Sequence, residues 1–291
     1  MRAAPVAPLP EKANEQHYEL PAAFFVQALG ARRKYSSCFY PRPDTDLDQA
    51  ELAALEATAA HADLRDGQRI LELGCGWGSL SLHMAETLPG ARITGVSNSR
   101  PQRDFILAEA ARRGLRNLEI LTADMNDFAA EGRYDRVVSV EMFEHMRNWP
   151  ELFRRIRGWL AEDGRVFLHV FAHRERAYTF ETEGAGNWMG RHFFTGGIMP
   201  TPALIARAAA PHLQVEESWW WGGEHYARTA EHWLQRLDRN RAAIRPILEA
   251  AYGRDQEMWR RRWRVFFMAC AELFAFDGGR EWGVAHARLR T

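Results

Sequence analysis

Residues 70–80 read ILELGCGWGSL, and the fold follows from this stretch. The run Ile70–Leu73 suits a strand covered on both faces. Gly74, Gly76 and Gly78 mark a tight turn, and the apolar-periodic stretch after Gly78 starts a helix. Glycine is needed where backbone must touch a ligand, and the first amides of a helix face that ligand. Strand, glycine turn and helix in this order form a nucleotide-binding unit. The spacing excludes the dinucleotide version: Ser79 stands where a third glycine would fall, and Ser97-Asn98-Ser99 ends the next strand where an acid would hold a ribose.

Working outward, short apolar runs alternate with longer amphipathic ones. RILEL, RITGV, LEILT, RVVSV and RVFLHVF read as strands. Helices are expected after Gly78, from Pro101 to Arg113, and from Trp149-Pro150, where proline suits a first turn. LQVEESWWW and EWGVAHARLR supply a sixth and a seventh strand, with a long helical stretch from Thr229 to Phe274 between them. The fold class is therefore α/β, a mostly parallel, doubly wound sheet of Rossmann-like type. Before it, HYELPAAFFVQALG and DQAELAALEATAAHADL read as helices flanking KYSSCFYPRP. Residues 1–16 are expected as a flexible tail, 17–66 as a helical N-terminal cap, and 67–291 as the main domain with a helical insertion at about 223–276.

The 291 residues carry 38 basic and 38 acidic side chains, so no bulk attraction draws the chain to nucleic acid or an anionic membrane. Neither partner is expected. WRRRWR, residues 259–264, reads as a solvated helix face. The opening segment lacks a continuous apolar core, so no stable membrane insertion is expected. Cys38, Cys75 and Cys270 are widely spaced, which suits reduced thiols and a cytoplasmic location.

Glu72 followed by G-x-G-x-G is what class I S-adenosylmethionine-dependent methyltransferases show. With KYSSCFY, GVSNSRPQ, VVSVEMFEHM and FFTGGIMPTP in order, the chain resembles the cyclopropane-fatty-acid synthase superfamily. GEHYARTAEHWLQRLDRN and ELFAFDGGREW make it more similar to the coclaurine N-methyltransferase branch. The resemblance implies S-adenosylmethionine as cofactor and a small, aromatic alkyl or alkaloid-like amine as substrate; no metal is expected, since no second His or Cys stands at ligand spacing near His145, and a homodimer is left open. It places Tyr35 and Ser36 over the cofactor, Glu72, Gly74, Cys75 and Gly76 at its methionine end, and Ser97, Asn98 and Gln102 at its ribose and adenine side. Asp124 and Met125 would meet the adenine. Ser99 and Gln102 also read as a plain capping box.

A cationic amine has no lone pair until it loses a proton, so methylation calls for a base. Glu141, Glu144 and His145 follow the fourth strand at the ligand-binding edge of the sheet, and Glu144 with His145 resembles the branch's catalytic pair. His169, Tyr226, Phe266 and Trp282 are the candidate substrate-pocket residues, the aromatic ones because ring faces attract cations. The alternative is a lipid C-methyltransferase of the cyclopropane type, in which a bound bicarbonate is the base. Ser37 and Phe266 replace two residues that hold that ion, which favours the amine. His169 matches the cyclopropane enzymes instead, and keeps the alternative open.

Overall fold

The computed structural model describes residues 4–9, 20–184 and 186–291. It opens with α1 (Ala22–Ala28) and α2 (Leu47–His61), followed by β1 (Arg69–Leu73), α3 (Ser79–Thr87), β2 (Arg92–Ser97), α4 (Arg100–Arg112), β3 (Leu118–Thr122) and β4 (Tyr134–Val140). A 3-10 turn at Phe143–His145 leads to α5 (Trp149–Trp159), β5 (Leu160–His173), β6 (Tyr178–Thr179), α6 (Trp188–His192), β7 (Ile198–Met199) and α7 (Pro202–Ala209). The chain ends with β8 (Gln214–Gly222), α8 (Gly223–Arg239), α9 (Arg241–Tyr252), α10 (Gln256–Gly279) and β9 (Trp282–Arg290). Seven strands form one sheet in the order β3-β2-β1-β4-β5-β9-β8. The first five are parallel, and β9 runs antiparallel between β5 and β8. This is the class I methyltransferase arrangement, with the order reversing beside β1, where ligands of such sheets bind.

Local chemistry explains the boundaries. Gly78 enters α3 at φ +79°, and a Cβ there would stand 2.6 Å from Ile106. Asp46 and Gln49 form a reciprocal capping box on α2. Asn148 caps α5, whose buried Leu152, Phe153, Ile156 and Trp159 make one apolar face against the sheet.

Three expectations differ from what forms. The first helix occupies only 22–28, because Pro21 sets its start and Leu29 turns extended; residues 17–19 of the expected helix lie outside the described residues. The helical stretch expected from Thr229 to Phe274 starts at Gly223 and is interrupted around Asn240 and Gly253–Asp255, with Gly253 at φ +54°. The opening of the chain, expected to be a flexible tail, is docked over residues 4–9. Val6 and Ala7 are buried, Asn126 bonds both polar backbone atoms of Ala7, and Val6 O accepts from Arg147 N at 2.8 Å.

Candidate active site

One pocket opens at the carboxyl edge of β1, β2 and β4. It is lined by all eleven residues expected at the cofactor: Tyr35, Ser36, Glu72, Gly74, Cys75, Gly76, Ser97, Asn98, Gln102, Asp124 and Met125. Gly74 and Gly76 lie at φ +80° and +52°; a Cβ on Gly74 would strike the Met142 side chain at 2.6 Å, whereas Gly76 faces open space. The loop is thus held against β4 on one side and bare toward the pocket on the other.

Glu72 is buried and accepts from the Ser81 hydroxyl. Loss of water raises its pKa to about 7, and no cation among its described neighbours offsets that burial. Gln102 does not complete the expected capping box: Ser99 Oγ accepts from Gln102 N at 3.4 Å, but Gln102 Oε1 accepts from Ser97 Oγ at 2.7 Å instead. This turns the amide inward and leaves Gln102 Nε2 buried with no partner among the described residues. Asp124 is half committed to its turn, accepting from Asn126 N at 2.8 Å. A buried acid that wants a cation, an unpaired amide donor and a bare glycine turn fit an amino-acid nucleoside such as S-adenosylmethionine.

The second group of residues separates. Glu141 and His145 line the same pocket. Glu141 follows β4 at φ +49°, a strained setting for a non-glycine residue, and is held there by its N–H on His169 O at 2.8 Å. Its Oε1 accepts from Ser37 N at 3.0 Å, and its Oε2 accepts from Tyr226 OH at 2.7 Å. Burial raises its pKa. Glu144, expected to face the substrate, turns into the core: its Oε1 accepts from Phe171 N at 2.8 Å, and its Oε2 is buried without a partner among the described residues. Burial and the neighbouring Glu141 charge push its pKa well up. His145 stacks on Phe194 with ring centroids 5.5 Å apart, and burial lowers its pKa to about 4 against an opposing pull from Glu141. The carboxyl electrostatically tied to His145 is therefore Glu141.

The expected pocket walls lie farther back. Tyr226 and His169 meet Glu141 from behind, His169 Nε2 at 3.1 Å. Phe266 stacks on Phe193 at 4.2 Å, and Trp282 donates to Tyr178 OH at 3.1 Å beside His173. Neither lines the pocket, because α10 and β9 present those rings to their own neighbours. The sequence reading missed Lys34, Trp77, Thr195, Gly196 and residues 7–9, which do line it. Lys34 opens the KYSSCFY motif and is buried, with Nζ 2.6 Å from Ser36 Oγ. Thr195 and Gly196 belong to FFTGGIMPTP, so that motif held a signal.

The profile of the mycolic acid cyclopropane synthetase family matches residues 9–279. The chain belongs to that family. Among members of the mycolic acid cyclopropane synthetase family and their relatives, it is 36% identical over 294 residues to an (S)-coclaurine N-methyltransferase of Thalictrum flavum subsp. glaucum, covering 100% of this chain and 81% of that protein. A cyclopropane-fatty-acyl-phospholipid synthase of Escherichia coli (strain K12) is 29% identical over 277 residues, covering 94% and 67%. A crystal structure of coclaurine N-methyltransferase bound to N-methylheliamine and SAH has a TM-score of 0.95 at 34% identity, covering 100% of this chain and 84% of that one. This mycolic acid cyclopropane synthetase family member is an S-adenosylmethionine-dependent methyltransferase.

Proposed function

We propose that the protein methylates the nitrogen of a small amine of the aromatic, alkaloid-like kind. The observation that carries this reading is the buried Glu141 carboxyl in the same pocket that the expected cofactor residues line. Burial disfavours the Glu141 carboxylate and outweighs the opposing pull of Lys34, so a further cation beside it, such as a protonated amine, stabilises the ionised form. The N-methyltransferase relatives support the same substrate class.

The bound cofactor supplies the activated methyl group. Glu72 holds the cofactor's cationic amino end, and the turn at Gly74–Gly76 allows close approach. At the other end Glu141, fixed by Ser37 and Tyr226, attracts the ammonium and takes its proton. The pKa directions support that choice: burial raises the affinity of Glu141 for a proton and lowers that of His145. His145 stays neutral and accepts a hydrogen bond from the amine, aiming its lone pair along the transfer line. Glu144 holds Phe171 and the strand end in place.

Lipid C-methylation is the second reading, favoured by the His169–Glu141 contact at 3.1 Å and by the bacterial phospholipid synthase relative. Purified protein given labelled cofactor is offered 1,2,3,4-tetrahydroisoquinoline and, separately, vesicles of unsaturated phospholipid. Label in the amine supports N-methylation; label only in the vesicles overturns it.

A further inference from the structure

Behind Glu141 runs a file of imidazoles that the methyl-transfer chemistry leaves unexplained. His169 Nε2 lies 3.1 Å from Glu141 Oε1, and His169 Nδ1 lies 2.8 Å from Nε2 of His286. His286 Nδ1 in turn lies 2.8 Å from Nδ1 of His61. The first two rings are register partners across the β5–β9 ladder and are closed off from water, at 0% and 1% exposure. His61 is the last residue of α2, is half-buried, and stacks on Trp219 at 4.0 Å. A single core histidine needs no function beyond its hydrogen bonds. Three in series, joined nitrogen to nitrogen from a pocket carboxyl to a half-exposed ring, make a proton-conducting geometry, because imidazole accepts at one nitrogen while donating at the other.

We propose that His169, His286 and His61 form a proton-exchange path through which Glu141 discharges to solvent while the reactants cover the pocket. The inference rests on the N-methylation reading, which gives the proton a reason to move. Burial favours the acid form of Glu141, and a cationic amine arriving beside it favours the carboxylate. The expelled proton then needs an exit that avoids the filled pocket.

The steps balance. The Oε1–H bond of Glu141 breaks as the proton joins His169 Nε2. The proton on His169 Nδ1 passes to His286 Nε2, that on His286 Nδ1 passes to His61 Nδ1, and that on His61 Nε2 goes to water. Each ring gains one proton and loses one, stays neutral, and ends in its other tautomer; Glu141 ends as the carboxylate. It then takes the ammonium proton on Oε2, which leaves through the opened pocket with the product. One proton entering at His61 Nε2 runs the hops inward and restores the starting tautomers. Over the cycle, one proton moves from amine to water.

Burial holds the pKa values of His169 and His286 well below the usual imidazole value, so they act as neutral rings handing protons on. The charged and titratable groups facing the path are Lys34, Glu144, His145 and Tyr226 around Glu141, and Glu217 and Arg288 around His61.

The test uses His61→Ala, a change at a half-exposed position, in the full chain with 1,2,3,4-tetrahydroisoquinoline as the amine. Expected are a fall in kcat of about tenfold with an unchanged cofactor KM, a larger solvent deuterium effect, and recovery of rate as imidazole is added. Unchanged kcat, or a loss that imidazole does not restore, overturns the path. If the wild-type protein methylates no amine, the N-methylation reading fails separately, and nitrogen-15 NMR of the ligand-free protein tests the path itself. Glu141→Gln is expected to change the tautomer signals of His61, two rings from the substitution, and His286→Phe to abolish that response. His61 signals that ignore Glu141→Gln overturn it.

Discussion

At the scale of single residues, the hold on the cofactor's ammonium proposed for Glu72 makes affinity depend on pH. With its pKa raised to about 7 by loss of water, Glu72 is mostly protonated in mildly acidic solution, and a cationic amino group beside it favours the carboxylate. Below that value, binding must expel the proton, so affinity falls with falling pH; above it, affinity is level until the ligand's own ammonium titrates. The dissociation constant of S-adenosylhomocysteine is expected to rise about tenfold per pH unit between roughly pH 7 and 5. Calorimetry in buffers of different ionisation enthalpy checks the proton release directly. Glu72→Gln should bind weakly with no such slope; a retained slope removes Glu72 from this role. Glu141 makes the matching kinetic case. Glu141→Gln should lower turnover by roughly a hundredfold or more while S-adenosylhomocysteine affinity stays within about twofold. The acid limb of the wild-type rate profile should lie above the ordinary carboxylate value of 4.5, because burial raises Glu141, and should vanish in the variant. Near-normal turnover of Glu141→Gln removes it from the chemistry.

At the scale of elements, α2 supports the pocket through one side chain. Glu51 is fully buried; its Oε1 accepts from Gly30 N and Lys34 N at 3.0 Å each, and its Oε2 accepts from Arg32 N at 2.6 Å. These bonds fold residues 30–34 against α2 and deliver Lys34, Tyr35 and Ser36 to the pocket. Glu51→Ala leaves three backbone donors without their acceptor, each costing about 1–3 kcal/mol where water cannot reach. The expected outcome is a clear loss of melting temperature together with weakened S-adenosylhomocysteine binding; full affinity in the variant refutes the coupling. None of this was legible in the sequence, where Glu51 is one more acid in an alanine-rich helix. What was legible follows a rule. ILEL with its three glycines carries its geometry locally, since backbone conformation and burial on both faces depend on few neighbours, and the strands and the glycine loop could be placed from it. Glu144, Phe266 and Trp282 were misplaced because a residue's type and offset do not say which way a strand end or a long helix turns it. Glu144 stands three residues from Glu141, yet Glu141 is itself left-handed and Glu144 lies within a 3-10 turn, which sends the two carboxyls in different directions.

At the scale of the whole molecule, the pocket is where distant parts of the chain converge: the glycine loop, residues 33–36, the turn after β4, Thr195-Gly196, and the opening segment. That last contribution turns on Asn126. Its Oδ1 accepts from Ala7 N at 2.9 Å and its Nδ2 donates to Ala7 O at 2.8 Å, a two-bond clasp across 119 positions of sequence. The clasp holds Ala7, Pro8 and Leu9 at the pocket rim next to Asp124 and Met125, where the adenine end of the cofactor is expected. Asn126→Ala removes both side-chain bonds but spares the backbone of the turn, whose Asn126 N–H still reaches Asp124 and whose carbonyl still accepts from Arg155. Releasing the segment uncovers one side of the ligand, so the loss belongs in the escape rate more than in the approach. Two hydrogen bonds of about 1 kcal/mol each, partly recovered by water, correspond to a dissociation rate of S-adenosylhomocysteine faster by roughly tenfold, with global melting little changed. Stopped-flow displacement measures that rate. An Asn126→Ala protein that releases the ligand no faster than wild type would mean that residues 4–9 rest on the rim without closing it.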